Sequence, residues 1–348
     1  MNIERCLQTV IRHDRTLLSE KNGRIGDLSV TPRIFAIESF PDGARIVEDM
    51  IAAAYWSTSE SDIIIADLHS SQGPSKGPLK FRFSPGMTTE FHKHNYMELA
   101  CIVKGRLRQR IAGKDEVFNQ GELCLLDKDS FHCEYLFPEE SVVFFLLIAN
   151  AFFGKSVNFE IRSKKYQKFL HNALITRREK YRFIRFTAKL KQPSVPEFLG
   201  SIFEELRNPG AGSRYLILGY TERVLNLLPV EYEFQIVRNN TENERKVIFN
   251  EVEDYLRRHY RLISAGKLSA AFGYNIDYFN RLIKSHTGMT YSMFLHHIRL
   301  ETASHLLRTT KLPVEQIAEE VGYHNVSYFY RIFMKKYGIT PHKFRTEY

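Results

Sequence analysis

Two stretches near the C-terminal end of this 348-residue chain repeat one another about 50 residues apart, and an internal period of that size restricts the fold more than any other feature of the sequence. The first stretch reads LSAAFGYNIDYFNRLIKSHTGMTYSMF from Leu268, and the second reads IAEEVGYHNVSYFYRIFMKKYGITPHKF from Ile317. Gly273-Tyr274 matches Gly322-Tyr323, Tyr278-Phe279-x-Arg281 matches Tyr328-Phe329-x-Arg331, Gly288-x-Thr290 matches Gly338-x-Thr340, and Phe294 matches Phe344. Each copy predicts a short helix (Ala265–Phe272, Val314–Val321) stopped by a glycine, which accepts the left-handed conformation a helix end needs. Asn275 and Asn325 are then good caps for a second helix. In those second helices Phe279, Leu282 and Ile283 share one face, as do Phe329, Ile332 and Phe333, and such faces turn to a core. The opposite face carries Asp277, Asn280, Arg281 and Lys284 in the first copy. In the second it carries Ser327, Tyr330, Arg331 and Lys335, with Asn325 and Val326 beside them. These are side chains that reach base edges or phosphates when a helix enters the major groove. A long helix over Tyr291–Leu307 is predicted to set the two copies at a fixed separation.

This segment resembles the DNA-binding domain of the AraC/XylS family of transcription regulators. The family pattern covers about 100 residues, Glu244 to Arg345, and the second copy is similar to the family signature without gaps. The resemblance implies an all-α domain over 239–348 with two helix-turn-helix motifs, about 264–287 and about 313–337. It also implies double-stranded DNA and RNA polymerase as partners, activation of transcription, and no enzymatic activity. The first copy departs from the pattern at Ala265 and Ser269, where the family usually has Leu and Ala. Gly266 in its first helix costs roughly 1 kcal/mol relative to alanine. Asp277 stands at a reading position, where it either accepts from a cytosine amino group or sits at the helix N-terminus for dipole reasons and repels phosphate; both readings stay open. A plain helical bundle with a solvated basic face is the competing account, and Arg281 and Arg331 at matched positions argue against it.

From Leu79, beyond the loop Ser70–Pro78, the sequence changes to short strands separated by turns. Strands are predicted over Lys80–Ser84, Tyr96–Val103, Arg106–Ile111, Glu122–Leu126 and Ser141–Ile148, with Tyr181–Leu190 as one more. This spacing suggests a β-barrel or sandwich. Gly86, His92, His94, Glu98 and Gly105, followed by Gly121 and His132, resemble the two motifs of the cupin barrel. The first motif is complete. The second is half present, because Asp127, Asp129 and Leu136 replace the family's Pro, Gly and Asn. His92 and His94 project to one side of a strand, Glu98 keeps the same parity, and His132 from a facing strand completes three imidazoles and a carboxylate. That set suits a divalent transition metal; equally, it lines a pocket in a barrel without metal. Regulators of the resembled architecture use the barrel to sense a small molecule, sugars among them. His92, His94, Glu98 and His132 are therefore read as effector-binding, with Arg82 and Tyr96 at the same mouth and no cofactor assigned. The alternative is a metal-dependent cupin enzyme fused to a DNA-binding domain.

The expected fold class is multidomain α+β: a cupin-like barrel over 79–192, a helical pair over 193–238, then the all-α domain. The helices Pro196–Arg207 and Gly212–Leu228 flank the stop Asn208-Pro209-Gly210. They resemble the family's dimerisation pair, which implies a homodimer, although their apolar stripes fit a core as well. Residues 1–78 are read as an extension without an assigned role, helical in pattern over 1–30 and 43–56. The net charge of +9 is unevenly placed, with +5 over 240–348, +7 over 160–239 and −3 over 1–159, so the back of the chain favours a polyanionic partner. The four cysteines, Cys6, Cys101, Cys124 and Cys133, have no C-x-x-C spacing and read as buried thiols. No apolar run approaches the length of a membrane span, and the N-terminus lacks a secretion-signal pattern. A cytoplasmic protein is expected.

Overall fold

The computed structural model describes residues 2–20, 25–27, 51–58, 63–70, 79–82, 88–89, 92, 94, 96–111, 113–128, 130–135, 139–149, 163–175, 181–238, 241–272 and 274–347. The chain divides into two compact units, Met1–Asn240 and Thr241–Tyr348. The first is rich in sheet, with strands β1 (Ile25–Asp27), β2 (Ile51–Ser57), β3 (Ile63–Ser70), β4 (Leu79–Arg82), β5 (Met97–Lys104), β6 (Arg106–Ile111), β7 (Lys114–Asn119), β8 (Leu123–Leu126), β9 (His132–Tyr135), β10 (Val142–Ile148), β11 (Tyr181–Ala188) and β12 (Tyr232–Arg238). Its helices are α1 (Ile3–Glu20), α2 (Lys164–Ile175), α3 (Val195–Arg207) and α4 (Ser213–Glu231). Nine strands form one sheet in the order β1-β4-β3-β2-β10-β5-β8-β11-β12, and β7-β6-β9 form a second.

The strand sequences follow from what covers each face. β5 reads MELACIV because both of its faces are buried, as in sheets covered on two sides. Its Met97, Leu99, Cys101 and Val103 join a core with α1, α3 and α4, while Ala100 and Ile102 pack with Leu107, Ile111 and Phe118 of the small sheet. β6 alternates: Leu107, Gln109 and Ile111 are buried, and Arg106, Arg108 and Arg110 face outward. The expected stripe Leu199, Ile202, Phe203 and Leu206 of α3 is core, packed with Ile3, Cys6, Leu7, Val10 and Ile11 of α1. On α4, Ile217 and Val224 are core, whereas Tyr215 and Leu216 are exposed.

Two expectations for residues 1–78 are corrected. Residues 51–56 are strand, not helix: β2 pairs with β10 on one side and β3 on the other. Alanines favour helix locally, but cross-strand pairing with β10 and β3 overrides that weak preference. The segment is also not an extension, because β1, β2 and β3 supply three strands of the large sheet. Residues 43–50 lie outside the described residues. The strands β3, β7 and β12 had no counterpart in the sequence, β9 was expected only as the strand that carries His132, and β1 falls in the stretch expected to be helical over 1–30. The buried cysteines form no disulfide among the described residues, and burial pushes the Cys101 thiol up to about 12.

The second unit is helical: α5 (Thr241–His259), α6 (Ala265–Phe272), α7 (Ile276–Thr287), α8 (Tyr291–Thr309), α9 (Val314–Glu320), α10 (Val326–Tyr337) and α11 (Pro341–Glu347). Among the described residues no helix is long and apolar enough to cross a membrane.

Candidate nucleic-acid interface and buried histidine cluster

Helices α7 and α10 begin alike. The Asn275 side chain accepts from Tyr278 N and the Asn325 side chain from Tyr328 N, both at 2.9 Å, satisfying amides that a helix start leaves open. Both end at a left-handed glycine, Gly288 and Gly338. Phe279, Leu282 and Ile283 of α7 are buried, as are Phe329 and Phe333 of α10. Asp277, Arg281 and Lys284 are exposed on α7, and Ser327, Arg331 and Lys335 on α10.

The other expected reading residues sit differently. Asn280 Oδ1 accepts from Tyr291 N at 2.9 Å, so its carbonyl oxygen ties α7 to the start of α8 rather than facing outward unengaged. The Asn325 oxygen is occupied by its cap. Val326 and Tyr330 are half-buried and packed against the core around Phe329 and Phe333. Asp277 lies exposed in the first turn of α7, where the helix dipole favours a carboxylate. The sequence reading passed over Lys336, whose Nζ donates to His297 O at 3.2 Å. It also passed over Arg299, which donates from Nε to Tyr260 O at 2.9 Å and from Nη2 to Arg261 O at 3.3 Å.

In the sheet-rich unit, His92, His94, Glu98 and His132 are all buried and come together. Ligand atoms of His94, Glu98 and His132 lie within 4.8 Å of one another, and so do those of His92, His132 and Glu134. Backbone pairing sets the cluster: His92 and His132 exchange N–H···O bonds of 2.9 Å. Tyr96 is buried and stacks on His94 at 4.0 Å between ring centres. Arg82 ends β4, four places from β5 in the sheet order, and its side chain lies outside the described residues, as do Gly86 and Asp129. Glu134 was missed, although its signal was present: it follows His132 by two, and the period of two that joined His92 to His94 puts it on the same face. It accepts from Thr89 Oγ1 at 2.5 Å and from Gln109 Nε2 at 3.2 Å.

The tautomers follow from the partners. His94 Nδ1 is 2.7 Å from Tyr96 O, and His132 Nδ1 is 2.9 Å from Ser130 O. A carbonyl only accepts, so each Nδ1 carries the proton and each Nε2 is bare. Both Nε2 atoms and Glu98 Oε1 are buried without a hydrogen-bond partner among the described residues. His94 Nε2 lies 3.7 Å from Glu98 Oε2, and His132 Nε2 lies 3.5 Å from Glu134 Oε1. Burial, reinforced by His132 and His92, holds the His94 imidazole well below its usual range. Burial, then His92, brings His132 down to about 4. Burial, then Glu134, raises Glu98 well above the carboxylate range. For Glu134 burial acts upward, but His92, His132 and the bonds from Thr89 and Gln109 outweigh it and lower the group. Two bare imidazole nitrogens, oriented by backbone carbonyls and flanked by carboxyls, are a donor set that fits a divalent transition metal.

These shifts predict a pH dependence. His94 and His132 are harder to protonate folded than unfolded, so the unfolded chain binds more protons below the ordinary value of 6.5. Their contribution to stability is present above that value and is lost as pH falls toward 4. Glu98 acts oppositely, but it is one group against two. Stability of the sheet-rich unit should fall by about 1.4 kcal/mol per pH unit between about pH 6.5 and 4.5. Thermal unfolding at several pH values checks this, and a transition that holds steady or rises on acidification contradicts it.

Residues 268–347 match the family model of a helix-turn-helix domain. The HTH-type transcriptional regulator YisR of Bacillus subtilis is 30% identical over 155 residues, which cover 43% of this chain and 52% of YisR. The xylose operon regulatory protein of Escherichia coli is 32% identical over 92 residues, 26% of this chain and 24% of that protein. The chain thus spans about half the length of the first relative and about a quarter of the second. A solved structure of a probable AraC family transcriptional regulator from Rhodopseudomonas palustris shows 24% identity and a TM-score of 0.26, covering 28% of this chain and 92% of that one.

Proposed function

We propose that the C-terminal unit is an AraC-type DNA-binding domain and the chain a sequence-specific regulator of transcription controlled by a small molecule, a reading supported by the match of residues 268–347 to a helix-turn-helix domain and by the likeness to transcriptional regulators. The observation that carries this reading is the matched pair of outward faces. Arg281 and Arg331 stand at the same register on α7 and α10, each exposed and each behind the same asparagine cap. In this reading α6–α7 and α9–α10 are two helix-turn-helix motifs, and α7 and α10 enter successive major grooves about 34 Å apart. The sheet-rich unit is a cupin-like barrel whose His92, His94, Glu98, His132 and Glu134 hold the effector, sugars being one candidate class. The effector acts by binding one arrangement of the regulator better than another. The chain works in the cytoplasm as a homodimer joined through α3 and α4, and it activates transcription with RNA polymerase.

Arg331→Ala is expected to weaken binding to the preferred DNA sequence by about 1–3 kcal/mol. Fluorescence anisotropy with the full chain measures this, using a duplex that the wild-type chain selects from a randomised pool. Unchanged affinity would falsify the assignment of α10 as a reader.

The bare Nε2 atoms of His94 and His132 favour a second reading of the barrel alone. There they hold a divalent transition metal together with Glu98 or Glu134, and the metal would serve as a Lewis acid for a bound ligand. Burial keeps both imidazoles neutral and therefore ready to ligate, and a metal would displace the Glu98 proton. Elemental analysis of the purified chain tests it: less than about a tenth of an equivalent of Fe, Mn, Ni or Zn removes both this reading and the fused metal-dependent enzyme.

A further inference from the structure

The second reading helix is held from α8 by a side chain that touches two of its neighbouring aromatics. His296 Nδ1 lies 2.8 Å from Tyr323 Oη, and His296 Nε2 lies 3.3 Å from Tyr328 Oη. Tyr323 is buried in the turn between α9 and α10, with its ring stacked parallel to His296 at 5.6 Å. Tyr328 is in the first turn of α10, and the Arg331 guanidinium carbon lies 5.1 Å from the centre of its ring.

The chemistry of the triad is complementary. A neutral imidazole donates through one nitrogen and accepts through the other, and a phenol does either. One tautomer therefore satisfies both tyrosines at once. Arg299, one turn further along α8, faces Tyr323 at 5.4 Å from its ring centre. Burial, then the Arg299 charge, keeps the His296 imidazole below its usual range, which favours the neutral form the two contacts require. Tyr328 is consequently held at both ends, its amide by the Asn325 cap and its hydroxyl by His296. A guanidinium resting on a fixed ring has fewer conformers to lose when it meets DNA. Arg331 itself is exposed, so the ring beneath it is its described anchor.

We infer that His296 is a positioning residue for DNA reading: by holding the Tyr328 hydroxyl from α8, it fixes the ring on which Arg331 lies and presets that guanidinium for a base edge or phosphate. The inference rests on α10 being a DNA reader.

A double-mutant cycle on the full chain tests it, with the selected duplex as probe at about 150 mM salt. His296→Ala should weaken binding about fivefold in the wild-type background and less than about twofold in the Arg331→Ala background. His296→Gln, which keeps one donor and one acceptor, should stay within about twofold of wild type. Equal losses in the two backgrounds, or a glutamine variant as weak as the alanine one, would overturn the inference while leaving α10 a reader. If Arg331→Ala binds like wild type, α10 is not a reader and the inference falls with it. If His296→Ala does not fold, Tyr328→Phe takes its place in the cycle, since it removes only the hydroxyl, and the same expectations apply.

Discussion

Gly322→Ala is expected to destabilise the C-terminal unit by about 2–5 kcal/mol. Two independent causes act at this position. Its φ of +87° lies in the left-handed region, which costs an L-residue roughly 1–2 kcal/mol. A Cβ there would also fall 2.5 Å from Arg261 O and 3.0 Å from the Arg299 guanidinium. Arg261 O is backbone and already accepts from Arg299, so neither neighbour moves cheaply. Gly288 and Gly338 separate the two causes: they share the left-handed conformation, at 75° and 77°, but have nothing within 4 Å of the added atom. Alanine at either should cost only the conformational part. Chemical denaturation of the three variants checks the ranking, and a Gly322 variant no worse than the other two contradicts it.

Phe329→Ala should cost about 3–5 kcal/mol, the range for emptying a fully buried aromatic site. Phe329 is inaccessible to solvent and lies with its ring centre 5.5 Å from Tyr323 and 5.6 Å from Phe333. A domain of this size has roughly 5–15 kcal/mol of stability in all, so the variant should lose a large share of its cooperative transition and its DNA binding together. Met334→Ala, on the same helix but 51% exposed, should change stability by less than about 0.5 kcal/mol. Equal effects of the two would mean that the buried face of α10 is misassigned.

The C-terminal unit was legible in the sequence because its signals are local. Cap, apolar periodicity and terminating glycine all fall within about 25 residues in each copy, and each is written in residue types with a direct conformational reason. What failed was non-local. Asn280 looks like a reader on a helical wheel, but its oxygen is taken by Tyr291 N, 11 residues on and across a turn. His296 draws its meaning from Tyr323 and Tyr328, 27 and 32 residues away. Residues 51–56 look helical because the sheet that claims them is built with β10, some 90 residues later. The histidine cluster was legible from the spacing His92-x-His94-x3-Glu98, of which only Glu98 lies in β5, yet Glu134 was left out because the period of two was not carried past His132.

The two copies are unequal in the structure as well as in the pattern. The second carries one more residue in its turn, Gly322-Tyr323-His324-Asn325 against Gly273-Tyr274-Asn275. From α8 it receives His296 and, through Lys336, His297. Arg299 connects the same helix to the end of α5. Gly266 in the first copy has no packing reason to be glycine, since a Cβ there would meet only Ser264 Oγ at 3.9 Å. The second copy is thus the better anchored of the two, and the acidic Asp277 distinguishes the first.

The proposed regulator must read sequence rather than charge alone. The direct test is the affinity of the full chain for its selected duplex against a scrambled duplex of the same composition, from about 50 to 200 mM salt. Sequence-specific reading predicts a preference of at least about a thousandfold that persists at about 150 mM. Equal affinities that fall steeply and together with salt would contradict it, because that is the signature of phosphate contacts alone.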